Sequence, residues 1–170
     1  MSKSNLITNT GHRFISKGKT AFKIHIHTPE DTVLHRSVGF VRIGEKKGLQ
    51  KAIKLRNELG RQMWGGKFWR RLLKDPYLMT RLPHSVEPKI VHKPNPTLEN
   101  PDNRDTCYIA KWREFNDDGE YKYKTVVRSI SKYGKLAAYM QTKKALLEAH
   151  KDNLEILTFM GGRLNSIDLK

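Results

Sequence analysis

Phe22, Ile24 and Ile26 alternate with Lys23, His25 and His27 in the run "TAFKIHIH", the period-two pattern of a strand with one buried and one wet face. "HRFI" before it predicts a short strand, and "TVLHRSVGFV" after the turn-forming "TPED" predicts a third. The spacing then changes. In "RIGEKKGLQKAIKLRNELGRQMW", Leu49, Ile53, Leu55, Leu59 and Met63 recur at helical intervals, so the order read from residues 8 to 66 is strand, strand, strand, helix.

The same order returns downstream. "KIVHK", "TCYIAKWREF" and "YKYKTVVRSI" read as strands, with "NDDGE" turning the chain between the last two, and "SKYGKLAAYMQTKKALLEAH" reads as the helix. A short amphipathic tail, "DNLEILTFMG", follows. Setting Gly44 against Gly134 aligns "FVRIGEKKGLQKAIKL" with "ISKYGKLAAYMQTKKA" without a gap. Upstream, Thr20, Phe22, Ile24 and Ile26 then fall on Thr106, Tyr108, Ala110 and Trp112, with the second hairpin loop four residues longer. Internal duplication is the reading. The glycine at each corner supplies a positive φ that turns the chain from the sheet into the helix.

Six of the seven prolines lie between Pro76 and Pro101, a stretch that cannot sustain a long helix or a central strand. The expected fold is therefore α+β, with two small units that each pack a three-stranded antiparallel sheet on one amphipathic helix. The expected boundaries are a first module over residues 8–66, a basic, Pro-rich linker over 67–87 and a second module with its helical tail over 88–170.

Charge changes the picture most. The chain of 170 residues has 33 Lys and Arg against 17 Asp and Glu, for a net charge of +16 and a pI near 10.0. Such a field attracts polyanions, nucleic acid first. One cysteine, Cys107, excludes an internal disulfide framework and a Cys-based zinc site, and reads as a small buried hydrophobe. No apolar run reaches the roughly 18 residues needed to cross a bilayer, and "MSKSNLITNT" lacks the apolar core of a signal peptide. A cytoplasmic protein without membrane partners is expected.

Alternation places Lys23, His25 and His27, and in the second unit Lys111 and Arg113, on the sheet face opposite the helix. The third strands are expected to add Arg36 in the first copy and Lys122, Lys124 and Arg128 in the second. A cationic sheet with one face covered fits the major groove, where each base pair displays its own donor and acceptor pattern.

The "[FY]x[IA]x[IW]" second strand, the "[IY]G" corner and the amphipathic helix with "KAIKLRNELG" resemble the Apetala-two/ERF DNA-binding domain, especially the divergent versions attached to phage homing endonucleases and integrases. The resemblance covers residues 11–65 and 88–150. It implies duplex recognition by the helix-free sheet face through Arg13, Lys23, His25, His27 and Arg36 in one copy and Lys111, Arg113, Lys122, Lys124 and Arg128 in the other. The plant-type domain carries more Arg and Trp there; this chain has histidines in their place.

No GIY-YIG pair, LAGLIDADG helix, clustered His-Asn-His motif or glycine-rich phosphate loop occurs, so no catalytic residue, metal ligand or cofactor is assigned. His84, His92 and Asn95 lie close in sequence but lack acids at metal-ligand spacing. The function expected is sequence-specific binding of double-stranded DNA by a regulator, a repressor derived from a homing-endonuclease binding region without its nuclease. Two alternatives stay open: a nuclease with an unrecognised site, and a basic RNA-binding protein, although strand motifs rich in aromatics for stacking unpaired bases are not evident. Monomer and homodimer are both compatible with the sequence.

Overall fold

A computed structural model describes residues 8–161. It is α+β, with two three-stranded antiparallel sheets in separate compact units that divide between Thr80 and Arg81.

In the first unit β1 (Ile15–Lys17), β2 (Ala21–His27) and β3 (Val33–Gly39) form a sheet in the order β1-β2-β3, followed by α1 (Glu45–Lys74). The register sets Phe22 against Val38, Ile24 against Arg36 and Ile26 against Leu34. Ile15, Phe22, Ile24 and Ile26 are buried under the helix, as alternation requires. The helix turns a stripe of mostly small residues inward rather than its leucines. Gly48, Ala52, Arg56 and Gly60, one turn apart, are its buried stripe, whereas Leu49, Ile53, Leu55, Leu59 and Met63 flank it half-buried. An ideal Cβ on Gly48 would lie 2.6 Å from the Phe40 Cβ, so the side chain of Phe40 already occupies the space that a larger residue would need.

The proline-rich region does not form one linker. At Gly65 (φ 68°, ψ 167°) α1 kinks and continues through residues 66–74, burying Phe68, Trp69 and Leu72. Trp69 folds back over Gly60 and stacks on Phe14 with 5.4 Å between ring centroids. Residues 67–80 thus belong to the first unit. A short helix, α2 (Leu78–Arg81), ends at the division. Residues 82–87 belong to the second unit, with Leu82 and Val86 buried. The helical pattern between Met63 and Lys74 is interrupted by the Gly65-Gly66 pair, which hides its continuation from a reading by periodicity.

In the second unit β4 (Lys89–Pro94), β5 (Arg104–Phe115) and β6 (Tyr121–Ser129) form the sheet, followed by a single turn of helix, α3 (Ile130–Tyr133), then α4 (Lys135–Ala149), a 3-10 turn (Lys151–Asn153) and α5 (Leu154–Phe159). Tyr108 and Ala110 are buried, and Tyr108 packs edge-to-face on Tyr139 of α4 at 5.4 Å. Glu87 fastens the incoming segment to α4: its carboxylate accepts from the Tyr139 hydroxyl at 2.7 Å and pairs with buried Lys143. Burial and that carboxylate push the Tyr139 phenol up to about 12. In the tail, Ile156 and Leu157 are buried.

The two units repeat one another in detail. Gly44 (φ 83°) and Gly134 (φ 80°) take the same left-handed conformation, and their N–H groups donate to Phe40 O and Ile130 O, each at 2.8 Å. Register is repeated as well: Phe22 with Val38 corresponds to Tyr108 with Arg128, and Ile26 with Leu34 to Trp112 with Lys124. Both hairpins close through the same turn. Thr28 N–H donates to Thr32 O and Asp31 N–H to Thr28 O; Asn116 N–H donates to Glu120 O and Gly119 N–H to Asn116 O. The four residues that the alignment assigned to a longer loop are instead two additional strand pairs, Glu114 with Lys122 and Phe115 with Tyr121.

Candidate nucleic-acid interface

Antiparallel partners project from the same side of a sheet, so register decides which third-strand residues accompany each second-strand residue. In the first unit the face opposite α1 holds Lys23 beside Ser37, His25 beside His35, and His27 beside Val33. His25 and His35 share a hydrogen bond, Nδ1 to Nδ1 at 2.7 Å, one ring donating and the other accepting, with the rings edge-to-face. Partial burial, then the neighbouring His35 and Lys23, hold His25 below the ordinary imidazole range.

Arg13 reaches this face from the segment before β1. With Phe14, Ser16, His25 and His27 it lines a cavity of about 310 Å³. Its guanidinium lies 4.6 Å from the Phe14 ring centroid, and its Nη1 is buried without a hydrogen-bond partner. Two side chains of α1 hold the sheet margins in place: Arg56 Nη1 donates to Arg13 O at 3.0 Å and Trp64 Nε1 to His27 O at 2.7 Å. Burial lowers the Arg56 guanidinium, whose hydrogen bonds go to Arg13 O and the Asn57 amide oxygen.

Arg36 is placed otherwise than the sequence led us to expect. It pairs with Ile24 and therefore projects on the helix side of edge strand β3, exposed, with Nη1 donating to His35 O at 2.8 Å.

The second sheet divides its expected residues in the same way. Lys111 and Arg113 share the face opposite α4 with Thr125 and Tyr123. Lys122, Lys124 and Arg128 pair with Glu114, Trp112 and Tyr108, so all three project on the helix side. Lys124 forms an ion pair with Glu114 at 3.3 Å, and Arg128 Nε donates to Gln141 Oε1 of α4 at 2.7 Å. For Arg36, Lys122, Lys124 and Arg128 the expected face is corrected for one reason: strand pairing, not charge, sets the side, and it sets all four on the helix side.

Residues absent from the sequence reading take their places. His35 joins the histidines of the first sheet. On the free face of the second, Tyr121 (48% exposed) and Tyr123 (58% exposed) stand beside Lys111 and Arg113. Lys111 Nζ lies 4.1 Å from the Tyr123 centroid, and the Arg113 guanidinium lies 5.4 Å from both Phe115 and Tyr121. Counting outward from the "NDDGE" turn would have found them, because once the five residues 116–120 close the hairpin, Phe115 must face Tyr121 and Arg113 must face Tyr123.

Other candidate chemistry is dispersed. His92 Nδ1 bonds the Thr106 hydroxyl, Asn95 O accepts from Asn103, and His84 lines a different groove. Among the described residues no three His, Cys, Asp or Glu side chains come together as metal ligands. Burial and the nearby Asp105 carboxylate raise the Cys107 thiol, which keeps it protonated. No helix among the described residues is long and apolar enough to cross a membrane. In comparison with known proteins, no family model matches the chain, and no curated protein or solved structure matches it.

Proposed function

We propose that the protein binds double-stranded DNA sequence-specifically and acts as a transcriptional repressor, as a tandem Apetala-two/ERF-like module of the kind attached to homing endonucleases. The observation that carries this reading is the repetition of one device: two sheets, each backed by a helix and each presenting cations on the face left open, in a chain of net charge +16. A free sheet face can enter the major groove, where Arg113 is suited to bidentate bonds with guanine and Lys23 and Lys111 to phosphate. The histidines of the first unit offer ring nitrogens to base edges, each as donor or acceptor according to its tautomer. Occupancy of a promoter by such a protein would exclude polymerase.

Selection of bound fragments from a random duplex library tests the reading. One enriched sequence is expected, and a reporter placed downstream of it should be repressed. Arg113→Ala should relax preference at one position at a cost of about 1–3 kcal/mol, while Lys122→Ala, on the helix side, should leave preference intact. A library that emerges without enrichment removes sequence specificity; unchanged reporter expression removes repression.

A further inference from the structure

The units differ most where the repeat predicts that they should agree. Positions aligned with His25, His27 and Val33 of the first sheet are Lys111, Arg113 and Tyr123 of the second, and the two additional strand pairs bring Phe115 and Tyr121 to the same face. Beside them, within the second unit, runs a groove of about 680 Å³ lined by His84, Lys89, Lys111, Trp112, Arg113 and Tyr123, among others. This lies within the roughly 300–1,000 Å³ typical of small-ligand sites. Glu87 is the one acid in that lining, and its two oxygens are engaged by Tyr139 and Lys143. The groove therefore offers cations and aromatic surface to its contents.

Paired B-form DNA shows only base edges in its grooves; the flat faces of the bases are hidden in the stack. An exposed tyrosine backed by a lysine gains most from a flat, anionic ligand that can lie on the ring, and a nucleotide outside the stack is such a ligand. We infer that the second unit holds one unpaired nucleotide of the bound DNA strand, its base on Tyr123 and its phosphate between Lys89 and Lys111. This rests on the DNA-binding reading and adds to it a preference for a locally opened duplex.

Four probes test it with the full chain: a duplex of mixed sequence carrying one unpaired 2-aminopurine, the same duplex with an abasic residue in the bulge, the fully paired duplex, and an RNA duplex with the same bulge. The base-bearing DNA bulge should bind about tenfold more tightly than the paired duplex, with 2-aminopurine fluorescence quenched on binding. Tyr123→Ala should abolish the difference and the quenching, and Tyr123→Phe should retain both. An abasic bulge bound as tightly as the base-bearing one would mean that bendability is sensed, and would overturn the inference. Equal loss on bulged and paired duplexes in Tyr123→Ala would overturn it too, as would tighter binding of the RNA bulge. Binding of paired duplex with no bulge preference defeats this inference alone; binding of no duplex defeats the DNA-binding reading with it.

Discussion

His25 and His35 face each other across β2 and β3 with their Nδ1 atoms 2.7 Å apart, an arrangement that needs at least one neutral ring. The folded protein thus resists a proton that the unfolded chain accepts freely, in agreement with the lowered pKa of His25. The sign follows from linkage: where the unfolded state binds more protons, stability rises with pH. Above the ordinary imidazole value, near 6.5, both states are neutral at this site and nothing is lost; stability declines as pH falls below that value. Burial lowers His150 in the second unit, with the same sign. Thermal melts at pH 7.5 and 5.0 should show a lower Tm in acid, and His25→Asn should reduce the difference. A Tm independent of pH, or one that rises in acid, would contradict the placement of these rings.

Among the elements, α1 shows what periodicity can and cannot disclose. Its existence was legible from Leu49, Ile53 and Leu55, yet its contact stripe was not, because Gly48, Ala52 and Gly60 carry little hydrophobic signal and are buried for their smallness. Close approach of helix to sheet is a property of shape, which an apolar-polar pattern does not encode. The candidate site was half legible for a related reason. Alternation within β2 and β5 placed Lys23, His25, His27, Lys111 and Arg113 correctly, whereas β3 and β6 needed the register, which rests on the hairpin turn. The kink at Gly65 supplies an elemental test. An ideal Cβ on Gly60 would lie 2.2 Å from the Trp69 ring, so Gly60→Ala should displace the tryptophan and cost about 1–3 kcal/mol in urea denaturation. Gly66→Ala, facing open space in the same helix, should be neutral or stabilise by up to about 1 kcal/mol.

Across the whole molecule, two units that both bind DNA, as proposed, would act through effective concentration, since engagement of one raises the chance that the other engages. If the two faces together meet about 6–10 phosphates, affinity should fall by about 10³–10⁵ between 50 and 200 mM salt. Lys23→Ala and Lys111→Ala should each lower the slope of log affinity against log salt by about one, on any sequence. A flat salt response measured by fluorescence anisotropy would exclude phosphate as the principal contact. The lengthened second hairpin bears on how such a chain diversifies. Because it grew by one pair of rungs, two residues in each arm, every side chain beyond the insertion kept its side of the sheet. Growth by an odd step would have turned the closing residues Asn116 and Glu120 to the other side of the sheet, while Lys111 and Arg113, between the insertion and the core, would have kept theirs. Fingers of this kind can be telescoped in even increments without re-aiming, so a hairpin from either unit is a transferable part, and exchanging the two would change reach and chemistry while the scaffold beneath stays the same.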